Sequence, residues 1–110
     1  MESDKLKDMF DKQKELQIKL GNTDILYNVQ YLKDMILASV DELMEVLREI
    51  PWKNWKKQQE FHKEELKEEI VDVYHFLINI SLASGMDYEE LHERYMNKNK
   101  INHQRQKDGY

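Results

Sequence analysis

Glu42 and Glu45 form an E-x-x-E pair, and Glu69 and Asp72 form an E-x-x-D pair. In a helix, a spacing of three puts both acids on one face. Two such pairs on neighbouring helices would bring four carboxylates together. Mutual repulsion raises their pKa values or opens the site unless cations sit between them. Hard carboxylate oxygens without thiolates select Mg²⁺, with Mn²⁺ as a substitute. Mg²⁺ held this way shares its coordination with substrate phosphates, so these residues point to metal-assisted phosphate chemistry. Glu49 and Glu65 extend the two stripes and are placed to hold water beyond the ligands. A single E-x-x-E is common on charged helices. The second copy, running into an apolar segment, favours a metal site over a solvated face.

Asp72 is the most demanding of the four. It lies in Ile70-Val71-Asp72-Val73-Tyr74, where a charged stretch becomes an almost continuous apolar run reaching Ile80. An ionised carboxylate buried there is costly unless it is paired or binds a metal.

The elements that must position these acids read as helices. The first starts at Ser3 or Asp4, places Leu6, Phe10, Gln13, Gln17 and Leu20 near one face, and stops at Gly21-Asn22. The second, capped by Thr23 or Asp24, runs to about Ile50, because Pro51 disfavours helix before it. Its apolar residues Leu32, Ile36, Val40, Leu43, Leu47 and Ile50 keep helical spacing. Pro51-Trp52-Lys53-Asn54-Trp55 reads as a loop, its tryptophans either plugging a bundle end or walling a planar ligand. The third helix runs from about Gln59 to Ser84, with Gly85 just past its end. Asp87 to Glu90 make a capping box for a fourth helix carrying Tyr88, Leu91 and Tyr95. The structure of the polar stretch from Asn102 to Tyr110 is left open. Four helices predict an all-α bundle, or antiparallel hairpins completed by a partner chain.

The 110 residues form a single domain, 1–110, with a lean core. No cysteine is present, which excludes disulfides, thiolate zinc sites and a cysteine nucleophile. The sequence lacks an apolar stretch long enough to span a membrane and has no signal-like N-terminus, so a cytoplasmic protein is expected. Net charge is −5, which argues against general nucleic-acid binding. Between Asp41 and Asp72 ten acids face six bases, whereas from Arg94 onward five bases face one acid. An acidic middle and a basic tail are what a metal–polyphosphate complex requires, although two solvated faces would read the same way.

The two acid pairs, 24 residues apart, resemble the all-α NTP pyrophosphatase superfamily of MazG proteins and dimeric dUTPases. Glu49-Ile-Pro-Trp52-Lys-Asn-Trp55-Lys looks like the Trp-rich segment that follows the first motif in dimeric dUTPases. Tyr95-Met-Asn-Lys98-Asn99 through Asn102, Arg105-Gln106 and Gly109-Tyr110 looks like their C-terminal signature. Gln13 and Gln17 are similar to residues of their N-terminal helix. The resemblance implies a four-helix MazG-like, dimeric dUTPase-like bundle. It implies Mg²⁺-dependent hydrolysis of a nucleoside triphosphate to the monophosphate and pyrophosphate, with dUTP as first substrate. Selectivity for dCTP, or broad selectivity, is the alternative. Glu42, Glu45, Glu69 and Asp72 would hold the metal, and Glu45 would orient or deprotonate the attacking water. Lys98, Asn102, Arg105 and Tyr110 would contact phosphates and sugar. Gln17, Asn22 and Trp52 would contact the base.

The chain departs from dimeric dUTPases in length. Only Val73 to Tyr95, about one helix and a turn, separates the second acid pair from the basic tail. Gly21 stands where the pattern has Asn. Both differences remove cover from the base, and a second subunit in a homodimer or higher homo-oligomer is expected to restore it. Three rivals use the same residues. Asp72-x-x-His75 and Glu89-x-x-His92 imitate a di-iron carboxylate spacing. A non-catalytic helical interaction protein could keep the fold. A basic tail could bind nucleic acid, with strong salt sensitivity.

Overall fold

The computed structural model describes residues 4–109. The candidate cap Ser3 and the candidate phosphate ligand Tyr110 lie outside the described residues. Four helices are formed: α1 (Lys5–Lys19), α2 (Val29–Arg48), α3 (Lys63–Ala83) and α4 (Tyr88–Lys107). No strand occurs among the described residues. The chain is all-α.

Helix starts follow capping chemistry. Asp4 accepts a hydrogen bond from the Lys7 N–H at 3.0 Å and Asp87 accepts one from the Glu90 N–H at 2.8 Å. The second helix starts later than the sequence predicts. Its cap is Asn28, which accepts from the Tyr31 N–H at 3.0 Å, rather than Thr23 or Asp24. The reason is a tertiary tether: the Tyr27 N–H donates to the Ala83 carbonyl at 2.7 Å, and Tyr27 adopts φ 51°. That contact pins residues 23–28 against the end of α3 and holds them out of the helix. The third helix also starts later, at Lys63 instead of near Gln59. Gln59 is occupied by the loop, accepting from the Lys53 N–H at 3.0 Å and donating to the Lys53 carbonyl. Beyond the predicted extent, α4 continues through the polar tail to Lys107.

α2 and α3 form the main hairpin. They run antiparallel: Glu42 meets Glu69 and Asp72, while Met35, nearer the start of α2, meets Asn79, further along α3. α1 packs on α3, and α4 touches α1. Phe10, Val73, Ile78 and Ala83 are the buried apolar residues, joined by the buried polar residues Gln13, Gln17, Ser39, Asn79 and Ser81. That core is small. Twenty-two large hydrophobic side chains stay exposed among the described residues, including Ile36, Val40 and Leu43 on α2 and Tyr74 and Leu77 on α3. The radius of gyration is 17.4 Å, against about 13 Å for a compact chain of this length. One copy of the chain therefore leaves extensive apolar surface exposed.

Candidate active site

The α2–α3 hairpin sets three carboxylates face to face. One ligand oxygen from each of Glu42, Glu69 and Asp72 lies within 4.8 Å of the others. Of the three, Glu42 carries the most enclosed oxygen. Its Oε2 is buried without a hydrogen-bond partner, unlike every other buried side-chain oxygen or nitrogen among the described residues. Burial pushes the Glu42 carboxyl above its ordinary range, and the neighbouring Glu69 and Asp72 carboxylates add to the rise. An orphaned oxygen facing two further acids is the arrangement that a hard cation satisfies. The donor set fits a divalent metal of the Mg²⁺ or Mn²⁺ type.

The sequence expectation of a buried Asp72 is corrected here. Its side chain is half exposed, and the acid with a buried oxygen is Glu42 on the opposite helix. α3 presents Asp72 at the edge of the hairpin, so the apolar residues around it in sequence point elsewhere. The fourth expected carboxylate also stands apart. Glu45 is on the same helix one turn after Glu42, but its Oε1 pairs with the Arg48 guanidinium. Glu49, one turn further, accepts from or shares a proton with His62 Nδ1 at 3.1 Å. His62 bridges to Glu60 as well, and these two acids hold its pKa above the usual value. Glu65 is exposed.

A cleft of about 380 Å³ opens beside the acids, lined by Gln13, Gln17, Glu42, Asp72, Phe76 and Asn79 among others. Gln17 is buried at its wall. Its Oε1 accepts from Tyr31 Oη at 2.7 Å and from Asn22 Nδ2 at 3.0 Å. Two of the three expected base contacts, Gln17 and Asn22, are thereby joined, with Asn22 acting as a brace for Gln17. Sequence reasoning did not single out Asn79 or Phe76 as site residues. The signal available for Asn79 was a lone amide inside the apolar run, three residues beyond Phe76 and seven beyond Asp72.

The remaining expected contacts are not brought to this cleft. Trp52 does not line it. The ring is exposed and meets Trp55 edge to face at 5.6 Å, with Lys53 Nζ 5.7 Å from its centroid. Lys98, Asn102 and Arg105 are exposed on the C-terminal half of α4, and none of them lines the cleft. The di-iron spacing is separated too. Glu89 and His92 line a different hollow with Asp4 and Tyr88, and the one three-acid cluster among the described residues contains no histidine.

A protein-family model described as dUTPase matches residues 5–88 and again 79–110. The chain belongs to this dUTPase family, a group of all-α nucleotide pyrophosphatases. The two matched stretches overlap at residues 79–88, where α3 ends and the turn into α4 begins. The dCTP pyrophosphatase of Enterobacteria phage T4 is 32% identical to the chain, covering 99% of this chain and 84% of that protein. The dCTP pyrophosphatase of Enterobacteria phage LZ5 is 30% identical, covering 97% of this chain and 83% of that protein. A DNA replication protein of phage T4 is 31% identical over 90% of this chain, which spans 34% of that protein. The first two alignments run over 144 and 143 positions, so those relatives carry residues without counterpart among the 110 here. No solved structure is significantly similar to the chain. No helix is long and apolar enough to cross a membrane among the described residues.

Proposed function

We propose that the chain hydrolyses a pyrimidine deoxynucleoside triphosphate, dUTP or dCTP, to the monophosphate and pyrophosphate, with Mg²⁺ as cofactor. The observation that carries this reading is the meeting of Glu42, Glu69 and Asp72 around an orphaned Glu42 oxygen, beside a cleft with an amide-lined wall. The resemblance to dimeric dUTPases supports dUTP, and the phage relatives, named dCTP pyrophosphatases, support dCTP.

Glu42, Glu69 and Asp72 hold the metal. When bound, Mg²⁺ supplies charge neutralisation to the polyphosphate and lowers the pKa of a water. Glu45 is one turn from Glu42 on the same helical face, and a change of rotamer would turn it toward the site. Its pair with Arg48 is largely exposed, and such pairs contribute about 0–1 kcal/mol, so little opposes the change. In that position Glu45 orients the attacking water and accepts its proton. The base enters the cleft over Phe76 and meets Gln17.

Lys98, Asn102 and Arg105 act on the phosphates and sugar, and a second copy of the chain brings them there. The exposed apolar residues of α2 and α3 are the surface that a homodimer or higher homo-oligomer covers. Glu42→Gln tests the metal assignment. It removes one charged ligand and should lower Mg²⁺-dependent turnover about 100-fold or more. Wild-type turnover by the variant would refute it.

A further inference from the structure

Two glutamines one turn apart on α1, Gln13 and Gln17, face the cleft beside the acids. Each is fixed by a different set of partners. Gln17 Oε1 has both acceptor positions filled, by Tyr31 Oη and Asn22 Nδ2. Gln17 therefore offers the cleft its Nε2 donors. Gln13 Nε2 donates to Asn79 Oδ1 at 2.8 Å, which leaves Gln13 Oε1 as the group it offers. Neither free atom has a partner among the described residues. Among the described residues the one buried side-chain polar atom without a partner is Glu42 Oε2, so Gln13 Oε1 and Gln17 Nε2 each keep some accessible surface. The cleft that both residues line is thus flanked by one acceptor and one donor, one helical turn apart.

An amide can turn over, exchanging its donor for its acceptor. What prevents this at Gln13 is Asn79, and what prevents it at Asn79 is Met35. Asn79 Nδ2 lies 3.5 Å from Met35 Sδ, a weak acceptor reaching across from α2. Turning Asn79 over would aim its Oδ1 at the thioether, lone pair against lone pair, at a residue only 2% exposed. The thioether therefore sets Asn79, Asn79 sets Gln13, and Gln13 shows its carbonyl to the cleft.

We infer that Met35 and Asn79 are positioning residues for base selection, holding Gln13 Oε1 as the acceptor that lets the cleft take uracil. The inference rests on the cleft beside the acids being the base site. Along its pairing edge uracil runs acceptor, donor, acceptor (O4, N3–H, O2). Cytosine runs donor, acceptor, acceptor (N4–H, N3, O2). A neighbouring acceptor and donor satisfy O4 and N3–H of uracil, or N4–H and N3 of cytosine. If Gln13 turns over, the wall becomes two donors. Two adjacent donors still satisfy N3 and O2 of cytosine. Uracil has no two adjacent acceptors, so its N3–H meets a donor. Releasing the relay therefore penalises uracil selectively.

Met35→Leu conserves volume and removes the thioether acceptor. Binding of the α,β-imido analogues of dUTP and dCTP, with Mg²⁺, is measured by calorimetry on wild-type and variant full chains. The affinity ratio should move toward the dCTP analogue by about threefold or more. The Asn79 and Gln13 side-chain amide resonances should shift in the variant while the backbone amide pattern is kept. An unchanged ratio, a parallel loss for both analogues, or a move toward the dUTP analogue would overturn the inference and leave the base cleft standing. Wild-type binding indifferent to the base, with the dATP analogue bound as well as either pyrimidine, would overturn the cleft reading and the inference with it.

Discussion

Glu42 places an acid where solvent cannot reach one of its oxygens, and its pKa is raised by that burial and by Glu69 and Asp72. A carboxyl with a raised folded pKa contributes stability that is fully present below its unfolded value of about 4.5 and is lost as pH rises through the folded value. Melting of the metal-free protein should register this. In chelator, Glu42→Gln should gain in Tm relative to wild type as pH goes from 4.5 to 7. With Mg²⁺ at pH 7 the order should reverse, because the metal binds only the ionised acid. A Tm difference independent of both pH and metal would contradict the assignment. Glu45 makes a separate prediction. Glu45→Gln should fold normally, bind the triphosphate, and lose turnover by about 10²–10⁴-fold. Unimpaired kcat would remove Glu45 from the chemistry.

At the scale of the elements, the turn between α3 and α4 and the turn before α2 lock together. Gly85 has φ 74°, and a Cβ there would stand 3.1 Å from Tyr27 Oη. Gly85→Ala should cost roughly 1–2 kcal/mol from backbone strain and displacement of Tyr27. Chemical denaturation measures it, and an unperturbed midpoint would show that the contact is slack. This lock also explains what the sequence could and could not disclose. Local capping chemistry made Asp4 and Asp87 legible as helix starts, and the apolar periodicity of residues 32–50 made α2 legible as a helix. Thr23 and Asp24 looked equally good as caps, but the Tyr27–Ala83 hydrogen bond, made across the fold, outweighs them. The spacing of the acids gave their face but not their rotamers. So Glu42, Glu69 and Asp72 converge as expected, while Glu45 pairs with Arg48. The partnership of Asn79 with Gln13 joins residues 66 apart in sequence, and no local pattern announces it.

At the scale of the molecule, the exposed apolar faces and the polar C-terminal half of α4 belong to one problem. The sequence is short between the second acid pair and the basic tail, and the two stretches matched to the family model meet at 79–88. In the single chain, an apolar hollow is bounded by Leu6, Phe10, Tyr74, Leu77, Leu91 and Tyr95. Light scattering should find a dimer or larger assembly whose melting depends on concentration. A folded, active monomer would refute the assembly. Mixing Glu42→Gln with Arg105→Ala, each impaired alone, should restore turnover if α4 serves its partner's acid cluster. Failure of mixed subunits to recover activity would place Arg105 outside the shared site.

The central claim is that the acid cluster supports pyrophosphohydrolysis of pyrimidine deoxynucleotides. Product analysis tests it most directly, with purified protein given dUTP and dCTP in Mg²⁺ and in chelator. The account predicts the monophosphate and pyrophosphate from one or both, with Mg²⁺ alone supporting turnover. No turnover on either by folded protein, or release of the diphosphate and inorganic phosphate, would contradict it.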